Sequence, residues 1–448
     1  MQYRILLLSV SLLFVACTSP QNQGQTSKED AIKTQEDELL TKVQYQTFQY
    51  FWENAEPVSG MAPERTHMDE IYPQNDKNVV TSGGSGFGLM AILVGIERGF
   101  ITREEAVERY DKILTFLETA DSFHGVYPHW WYGDTGKTKA FSRYDDGGDL
   151  VETAFLIQGL LTVRQYFVDG NEKEQELVRR INTIWENVEW DWHTKGGEDV
   201  LYWHWSPNHG WRMNFAVRGY NECLIMYVLA ASSPTHPIDP DVYHKGWAKD
   251  GAISTDREFY GYPTVLDHYD TNDSPVGPLF WAHYSYLGLN PTNLKDRYGD
   301  YWELNQNHAK IHHAYSVDNP NSYEGYSDSV WGLTSSYSMK GYSSHRPDQD
   351  LGVISPTAAL SSFPYTPEES MKFLKYLYNS ADSLIGKYGP YDAFSYEHDW
   401  YLPRYLAIDQ GPIPVMIENY RTGLLWDLFM SAPEVQTGLE RLGFTVGE

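Results

Sequence analysis

The chain has 448 residues, and its 34 Lys and Arg against 61 Asp and Glu give a net charge of −27 at pH 7. Nucleic-acid binding needs clustered basic side chains that release counterions, so this charge balance argues against a nucleic-acid partner. A content of 15% aromatic and 21% charged residues excludes a disordered chain or a coiled coil.

The first 17 residues have the pattern of a secretory leader. Arg4 is the only charge before an apolar run that is too short to span a bilayer as a stable helix. The ending LFVAC resembles a bacterial lipobox with Phe14 in place of the usual Leu, and an ordinary signal peptide is the alternative. We therefore predict a lipoprotein signal peptide over 1–17, with Cys17 lipidated and the anchor as the chain's one contact with a membrane.

Residues 18–35 are polar and lack aromatic side chains, as expected of a flexible tether. No similar linker follows, so residues 36–448 are predicted to form one large domain. This organisation predicts an exported lipoprotein, periplasmic or outer-membrane associated in a Gram-negative bacterium, and we expect a monomer. Cys223 is the only other cysteine, so the mature chain can form no intramolecular disulfide.

Apolar residues spaced three to four positions apart predict about twelve helices in this domain. Cap signals support several of them, since Thr102 precedes two glutamates and Thr366 precedes a proline. The alternation of apolar and polar residues that is typical of strands is limited to short segments such as Val200 to Trp205. The sequence therefore predicts an all-α fold. The predicted helices span 36–54, 84–98, 102–121, 147–168, 171–187, 217–232, 239–249, 276–288, 295–317, 353–362, 367–386 and 411–431.

The connections between these helices are long and rich in aromatic, Gly, Asp and His residues. Connections of this length are uncommon in compact domains unless they build a site. A toroid of helix pairs, with every second connection lengthened on one face, explains the spacing. The long connections span 55–83, 122–146, 188–216, 250–275, 318–352 and 387–410.

Tryptophan is concentrated in the connections. HWWY (129–132) contains Trp130 and Trp131, and YWHWSPNHGW (202–211) contains three more. Aromatic rings offer flat faces to the C–H faces of sugars, while nearby Asp, Asn, Arg and His bind hydroxyl groups. We therefore predict a carbohydrate ligand, with core packing as the alternative role for any single Trp.

Glycosidic cleavage typically needs two carboxyl groups. The densest acidic group is RYDDGGDLVE, in which Asp149 and Glu152 are three positions apart at the start of the 147–168 helix and Asp145 lies just before it. Acidic residues there also cap a helix and complement its dipole. Capping and catalysis remain equal alternatives on spacing alone.

Glu222 lies early in an almost wholly apolar predicted helix, where burial should raise its pKa and suit it to act as a general acid. A structural ion pair with Arg218, one turn earlier, is the alternative. Asp409 lies just before the last long helix, and its position favours a cap over a catalytic carboxylate.

The sequence contains no metal or cofactor motif. HExxH, paired CxxC and a GxSxG elbow are absent, and the Gly-rich Thr81 to Gly88 lacks the GK[ST] of a phosphate loop. We expect no metal and no cofactor, and we interpret these glycines as positions of close packing or substrate approach.

Four segments resemble the bacterial glucoamylase-like domain family, which includes glycoside hydrolase family 144. They are RYDDGGDLVETAFLIQGLL (143–161), RGYNECLIMYVLAASSP (218–234), YSYLGLNP (284–291) and AIDQGPIPVMIENYRTGLLW (407–426). The resemblance implies an (α/α)6 toroid with a single catalytic domain, and inverting hydrolysis of β-1,2-glucans or their oligosaccharides, in some members with release of sophorose. It also implies that the acidic pocket residues are Asp145, Asp149, Glu152 and Glu222, with Asp409 at the mouth of the last helix.

An older label of the family, glucoamylase, implies α-1,4-glucan as the substrate, and this is the second functional hypothesis. A non-catalytic glycan-binding lipoprotein is the rival from another class, because it needs the aromatic loops but no convergent carboxylates. A polysaccharide lyase is disfavoured, since the acidic chain would repel an anionic substrate. We expect an oligo- or polysaccharide substrate bound by Arg65, Trp130, Tyr144, Trp205, Trp211, Arg218, Asn221, Trp281 and Arg421.

Overall fold

The computed structural model describes residues 28–72, 74, 76–268 and 276–447, and the chain divides into two compact units, residues 1–38 and 39–448. The predicted leader with Cys17 and the tether residues 18–27 lie outside the described residues. Tether residues 28–35 instead form the beginning of a helix, because their sequence KEDAIKTQ is rich in good helix formers. In the described part of the chain, every helix is too short or too polar to cross a membrane.

Helices dominate, as the sequence predicts, and the described residues contain thirteen. They are α1 (Lys28–Trp52), α2 (Ser82–Glu97), α3 (Arg103–Leu117), α4 (Leu150–Phe167), α5 (Glu172–Glu186), α6 (Leu224–Ser232), α7 (Tyr301–Asp318), α8 (Pro356–Leu360), α9 (Pro367–Ser380), α10 (Ala407–Gln410), α11 (Pro412–Thr422), α12 (Leu424–Met430) and α13 (Pro433–Arg441).

Short strands shape the connections and pair only in antiparallel ladders within the described residues. They are β1 (Arg65–His67), β2 (Val79–Thr81), β3 (Trp130–Tyr132), β4 (Thr138–Lys139), β5 (Gly148–Asp149), β6 (His204–Trp205), β7 (Glu258–Phe259), β8 (Tyr262–Pro263), β9 (Leu294–Lys295), β10 (Ser335–Ser338), β11 (Gly341–Ser344), β12 (Ile385–Gly386), β13 (Gly389–Pro390), β14 (Phe394–Ser395), β15 (Trp400–Tyr401), β16 (Arg404–Leu406) and β17 (Thr445–Val446). The pairs relevant to the site are β1 with β16, β2 with β3 with β4, β5 with β6, and β10 with β11.

Buried and half-exposed helices alternate along the chain from α2 to α6. α2, α4 and α6 are apolar on every side and almost fully buried, whereas α3 and α5 bury one face only. A helix that is apolar all round can be stable only inside a core, and an amphipathic helix covers that core from outside. The buried helices therefore form an inner layer.

Two glycines allow α2 and α4 to pack closely. A side chain on Gly86 would lie 2.3 Å from the carbonyl oxygen of Phe155, and one on Gly159 would lie 2.2 Å from the carbonyl oxygen of Gly86. Because the two backbones meet where neither residue has a Cβ, the interpretation of the Gly-rich segment as a close-packing site is confirmed.

Cap chemistry sets several helix starts. Thr102 and Glu105 form a reciprocal capping box at α3, as its sequence predicts, and Asp149 caps α4. Thr366 precedes Pro367 in the first turn of α9 but makes no side-chain cap bond. The proline itself supplies the preorganised first turn.

Several helix boundaries differ from the predictions. The 217–232 helix begins only at Leu224, because Gly219 adopts a positive φ of 78° that no helix accommodates. The 411–431 helix is broken into α11 and α12 by Gly423, whose φ is 77°. The predicted 276–288 helix is two short 3-10 turns, Leu279–Ala282 and Tyr284–Tyr286, and 295–317 is helical only from Tyr301.

Candidate active site

A cavity of about 760 Å³ opens among the connections in the second unit. This size suits an oligosaccharide segment rather than a single small ion. Five of the six predicted long connections contribute to its wall, as expected if these connections build a site. The lining residues are Glu64, Arg65, His67, Gln74, Asp76, Thr81, His129, Trp130, Lys139, Phe141, Glu152, Phe155, Trp203, Glu222, Phe280, Tyr284, Ser335, Tyr337, Ser338, Met339, Gly341, Tyr342, Trp400, Leu402, Arg404, Leu406 and Ile408.

Glu152 lies in the first turn of α4 and faces this cavity. The backbone N–H of Gly83 donates to its Oε2 at 3.0 Å, and its Oε1 lies 3.8 Å from Nε2 of His129. Burial and the negative charges of Asp149 and Asp145 raise the pKa of Glu152 to about 7, against the opposing effect of His129. This carboxyl group therefore changes charge near neutral pH.

Asp149 is fully buried behind Glu152 and has two structural contacts. Its Oδ1 accepts the backbone N–H of Glu152 at 2.9 Å and caps α4, while its Oδ2 lies 3.0 Å from Nδ1 of His129. Although burial opposes ionisation, the bond to His129 and the charges of His129 and His204 lower the pKa of Asp149. The structure therefore confirms that Asp149 caps α4, and its catalytic role stays a prediction.

Asp145 is also buried, and it lies beside His129 and His204. Its Oδ2 lies 3.3 Å from Nε2 of His204 and 4.0 Å from Nδ1 of His129. The pairing of β5 with β6 places Asp149 opposite His204 and so holds this part of the site together. Ligand atoms of His129, Asp145 and Asp149 lie within 4.8 Å of one another, which would allow a metal ion, and the 3.0 Å contact between His129 and Asp149 is also that of a hydrogen-bonded ion pair.

Glu222 lies just before α6 and faces the cavity. Its carboxyl group is partly exposed to the cavity, and desolvation by the surrounding protein, with smaller repulsion from Glu152 and Asp149, raises its pKa to about 7. The alternative of an ion pair with Arg218 does not hold. Since α6 begins after Gly219, Arg218 is not one helical turn from Glu222, and it donates instead to the carbonyl oxygen of Lys245 at 3.1 Å.

Asp409 lies in α10 and is buried outside the cavity wall. The Tyr284 hydroxyl, which belongs to a cavity-lining residue, lies 3.4 Å from its Oδ1. Burial and the neighbouring carboxyl of Asp392 raise the pKa of Asp409 well above its usual value. The prediction that Asp409 caps the following helix is wrong. The N-cap residue of α11 is Gly411, just before Pro412, and no side chain caps this helix.

Two of the predicted substrate-binding residues lie in the cavity wall. Arg65, in β1, has its guanidinium 5.8 Å from the ring centre of Trp130, in β3. Its Nη1 donates to the Tyr337 hydroxyl at 2.8 Å, and its Nε pairs with Glu64. The cation and the rings together form a surface that can stack on a sugar and donate to its hydroxyls.

Four predicted aromatic contacts lie outside the cavity lining. Trp205 packs edge-on against His124, and Trp211 packs edge-on against His193, where both fill an aromatic cluster outside the cavity lining. Tyr144 packs edge-on against His209. Trp281 is buried against Tyr220, because Gly277 leaves space for its ring.

Three predicted polar contacts are also displaced from the cavity lining. Arg218 binds backbone carbonyls, and Asn221 accepts the backbone N–H of Cys223 at 2.9 Å to form a local turn. Arg421 lies in the last turn of α11, at the end of that helix that is remote from α10, and donates to the Gln44 side chain at 2.6 Å.

Sequence reasoning missed several lining residues. His129 and Trp203 lie within the two aromatic motifs, so the signal that singled out their tryptophan neighbours included them. The β10–β11 hairpin, with Tyr337 and Tyr342, and Arg404 in β16 follow no motif. The pairing of β16 with the distant β1 accompanies the placement of Arg404 at the cavity, whereas β10 and β11 pair only with each other among the described residues.

The family model described as "Glycoamylase: Putative glucoamylase" matches residues 214–433. The chain is 45% identical over 443 residues to an "Exo beta-1,2-glucooligosaccharide sophorohydrolase (non-reducing end)" of Parabacteroides distasonis, which covers 94% of this chain. The chain spans 60% of the length of that relative.

Two solved structures are similar in fold and sequence. The endo-β-1,2-glucanase of Chitinophaga pinensis, solved with sophorotriose and glucose, is 61% identical with a TM-score of 0.90, over 92% of this chain and 98% of that one. The β-1,2-glucanase of Parabacteroides distasonis is 44% identical with a TM-score of 0.85, over 91% of this chain and 60% of that one. The resemblance seen in the sequence is thereby confirmed, and the chain belongs to the bacterial glucoamylase-like family.

Proposed function

We propose that this protein is a glycoside hydrolase that cleaves β-1,2-glucan or its oligosaccharides. The observation that carries the proposal is that two carboxyl groups of raised pKa, Glu152 and Glu222, face one aromatic-lined cavity. The names of the three relatives support β-1,2-linked glucan as the substrate class, and one of them supports release of sophorose. The alternative of a non-catalytic glycan-binding protein lacks support, since it predicts no convergent carboxylates.

We assign the general acid to Glu222. Its carboxyl group has no cationic partner among the described residues, so it keeps its proton to about pH 7 and can donate it to the glycosidic oxygen as the C1–O bond breaks. Glu152 accepts a proton from the water that attacks C1 from the opposite face. Asp149 and Asp145 are occupied by helix and histidine contacts, and Asp409 is buried outside the cavity lining, which disfavours it as a base.

The reaction proceeds with inversion in this proposal. Inverting hydrolases separate their two carboxyl groups by about 6.5–9.5 Å so that a water fits between acid and base, and a cavity of this volume has room for that water. The first product of a β-linked glucan should then be the α-anomer.

We further propose an (α/α)6 toroid, supported by the alternation of inner and outer helices from α2 to α6. The protein is proposed to act as a monomer, on the periplasmic side of a membrane to which Cys17 anchors it. The apolar leader and its LFVAC ending support the anchor.

The proposed function is tested by incubating the purified protein with β-1,2-glucan, with its oligosaccharides and, as a matched control, with starch. We expect products from the β-1,2-linked substrates only, and NMR of the first minutes should detect the α-anomer. Cleavage of starch alone would favour the α-1,4-glucan alternative, and binding without products would favour the non-catalytic one.

A further inference from the structure

His129 connects the buried acidic group to the cavity. One ring nitrogen, Nδ1, lies 3.0 Å from Asp149 Oδ2, and the other, Nε2, lies 3.8 Å from Glu152 Oε1. Asp149 is itself fixed, because its second oxygen caps α4 at the backbone N–H of Glu152. The imidazole and the cavity-facing carboxyl are therefore oriented by the same residue.

The ring of His129 is held in place by aromatic neighbours. The Phe141 ring stacks on it at 4.3 Å with an angle of 24°, and the Trp130 ring meets it edge-on at 5.4 Å. A stacked aromatic face favours a cationic imidazole over a neutral one. With Nδ1 directed to Asp149, the remaining N–H is directed toward Glu152.

The charges around the ring favour the imidazolium. Although burial opposes the charge, Glu152, Asp149 and Asp145 together raise the pKa of His129 to about 10. The titratable and charged groups around this cluster include Asp145, Asp149, Glu152, His193, His204 and Glu222, with Arg65 and Lys139 over the neighbouring Trp130 ring.

We propose that His129 is a positioning residue that assigns the roles of the two glutamates, an inference that rests on the function proposed above. As a permanent cation beside Glu152, it opposes the burial and the Asp149 and Asp145 charges that raise the pKa of Glu152, so a fraction of this carboxyl is ionised near pH 7 and can accept a proton from water. Glu222 has no ion pair among the described residues, and its protonated fraction donates to the glycosidic oxygen. His129 itself neither gains nor loses a proton in the reaction.

The variant His129→Gln tests this role, because Gln can still donate to Asp149 but carries no charge. Without the cation the pKa of Glu152 rises, so the acidic limb of the pH profile of kcat/KM should move to higher pH while the alkaline limb stays. On β-1,2-glucan oligosaccharides we expect at least a ~10-fold loss at pH 6 and a smaller loss at pH 8, as a shift of about one pH unit predicts. Equal losses at both pH values would overturn the proposal, because a merely structural residue would lower the whole profile.

His204→Gln is the matched control. It removes an imidazole from the same cluster, but His204 lies against Asp145 at 3.3 Å and Asp149 at 3.6 Å rather than against Glu152. We expect its acidic limb to stay in place even if its activity falls. A shift as large as that of His129→Gln would assign the effect to the total charge of the cluster and overturn the specific role of His129.

Two measurements on the unmodified chain keep the test independent of folding of the variants. In ¹⁵N NMR of labelled histidine, the His129 ring should remain doubly protonated from pH 6 to 9, and a neutral ring at pH 7 would overturn the proposal. Stoichiometric Zn²⁺ binding, with activity lost on chelation, would also overturn it, since Nδ1 would then be a ligand. If the unmodified chain cleaves no β-1,2-glucan, the proposed function fails, whereas the NMR titration still reports the charge of His129.

Discussion

Gly83 and Glu152 are joined by a hydrogen bond that requires glycine at position 83. The Gly83 N–H donates to Glu152 Oε2 at 3.0 Å, and a Cβ on Gly83 would lie only 2.2 Å from that oxygen. The first turn of α2 therefore sets the position of a carboxyl group that lies in α4. This contact explains why small residues at the start of α2 matter for the site as well as for packing.

Gly83→Ala should displace Glu152 and lower kcat by about 10- to 100-fold, because small misplacements of a catalytic group have effects of this size. Steady-state kinetics on β-1,2-glucan oligosaccharides measure the change. Gly88→Ala is the matched control in the same helix, since its Cβ would meet the Phe51 ring at 2.4 Å rather than a carboxyl group. We expect that control to lose stability and keep its kcat, and a similar kcat loss in both variants would contradict the prediction.

Glu222→Gln should lower turnover by at least ~10²-fold, the lower range for a general acid. The same substitution should change the pH dependence of stability. The folded-state pKa of Glu222 is raised from 4.5 to about 7, so its stabilising contribution is complete below pH 4.5 and is lost as the pH rises through 7. Gln does not ionise, so the variant should equal the unmodified protein in stability near pH 4.5 and exceed it above pH 7, by on the order of 2–3 kcal/mol.

Urea denaturation of both proteins at pH 4.5 and pH 8 measures this difference. An unchanged stability difference at the two pH values would show that the Glu222 carboxyl is not desolvated. A folded variant with near-normal turnover would remove Glu222 from the mechanism.

Asp149→Asn separates the two functions of Asp149. Asn can still accept the Glu152 N–H and cap α4, but it loses the charge that faces His129. We expect a large loss of activity with a small loss of melting temperature. In the control Thr102→Ala, which removes the capping box of α3, stability should fall by about 1 kcal/mol with activity unchanged. If Asp149→Asn keeps both its activity and its melting temperature, Asp149 is only a cap.

Trp130→Ala should raise KM by about threefold to tenfold, because an aromatic contact contributes about 0.5–1.5 kcal/mol. The substitution should change KM more than kcat, since Trp130 lines the cavity and has no acid or base group that could transfer a proton. Trp211→Ala, at a tryptophan packed against Tyr202 and His193 outside the cavity lining, serves as the control. A KM effect at Trp211 equal to that at Trp130 would return Trp211 to the substrate path.

The predictable part of the site follows from local chemistry. Asp149 and Glu152 stand three positions apart at a helix start, so their shared face and the cap follow from helical geometry. The raised pKa of Glu222 follows from an apolar sequence around one carboxyl group. Helix α6, in contrast, begins only at Leu224, after the positive φ of Gly219, so the alternative of an ion pair between Glu222 and Arg218 does not hold.

Sequence by itself determined the helical character, the acidic residues and the aromatic connections, because periodicity, burial cost and residue chemistry are local properties. Only the tertiary structure decided which side chains face the cavity. Trp203 lines it while Trp205 does not, and the β10–β11 hairpin and Arg404 reach it from distant positions. Their direction depends on strand pairing and packing between segments far apart in the chain, and no spacing within one segment encodes that.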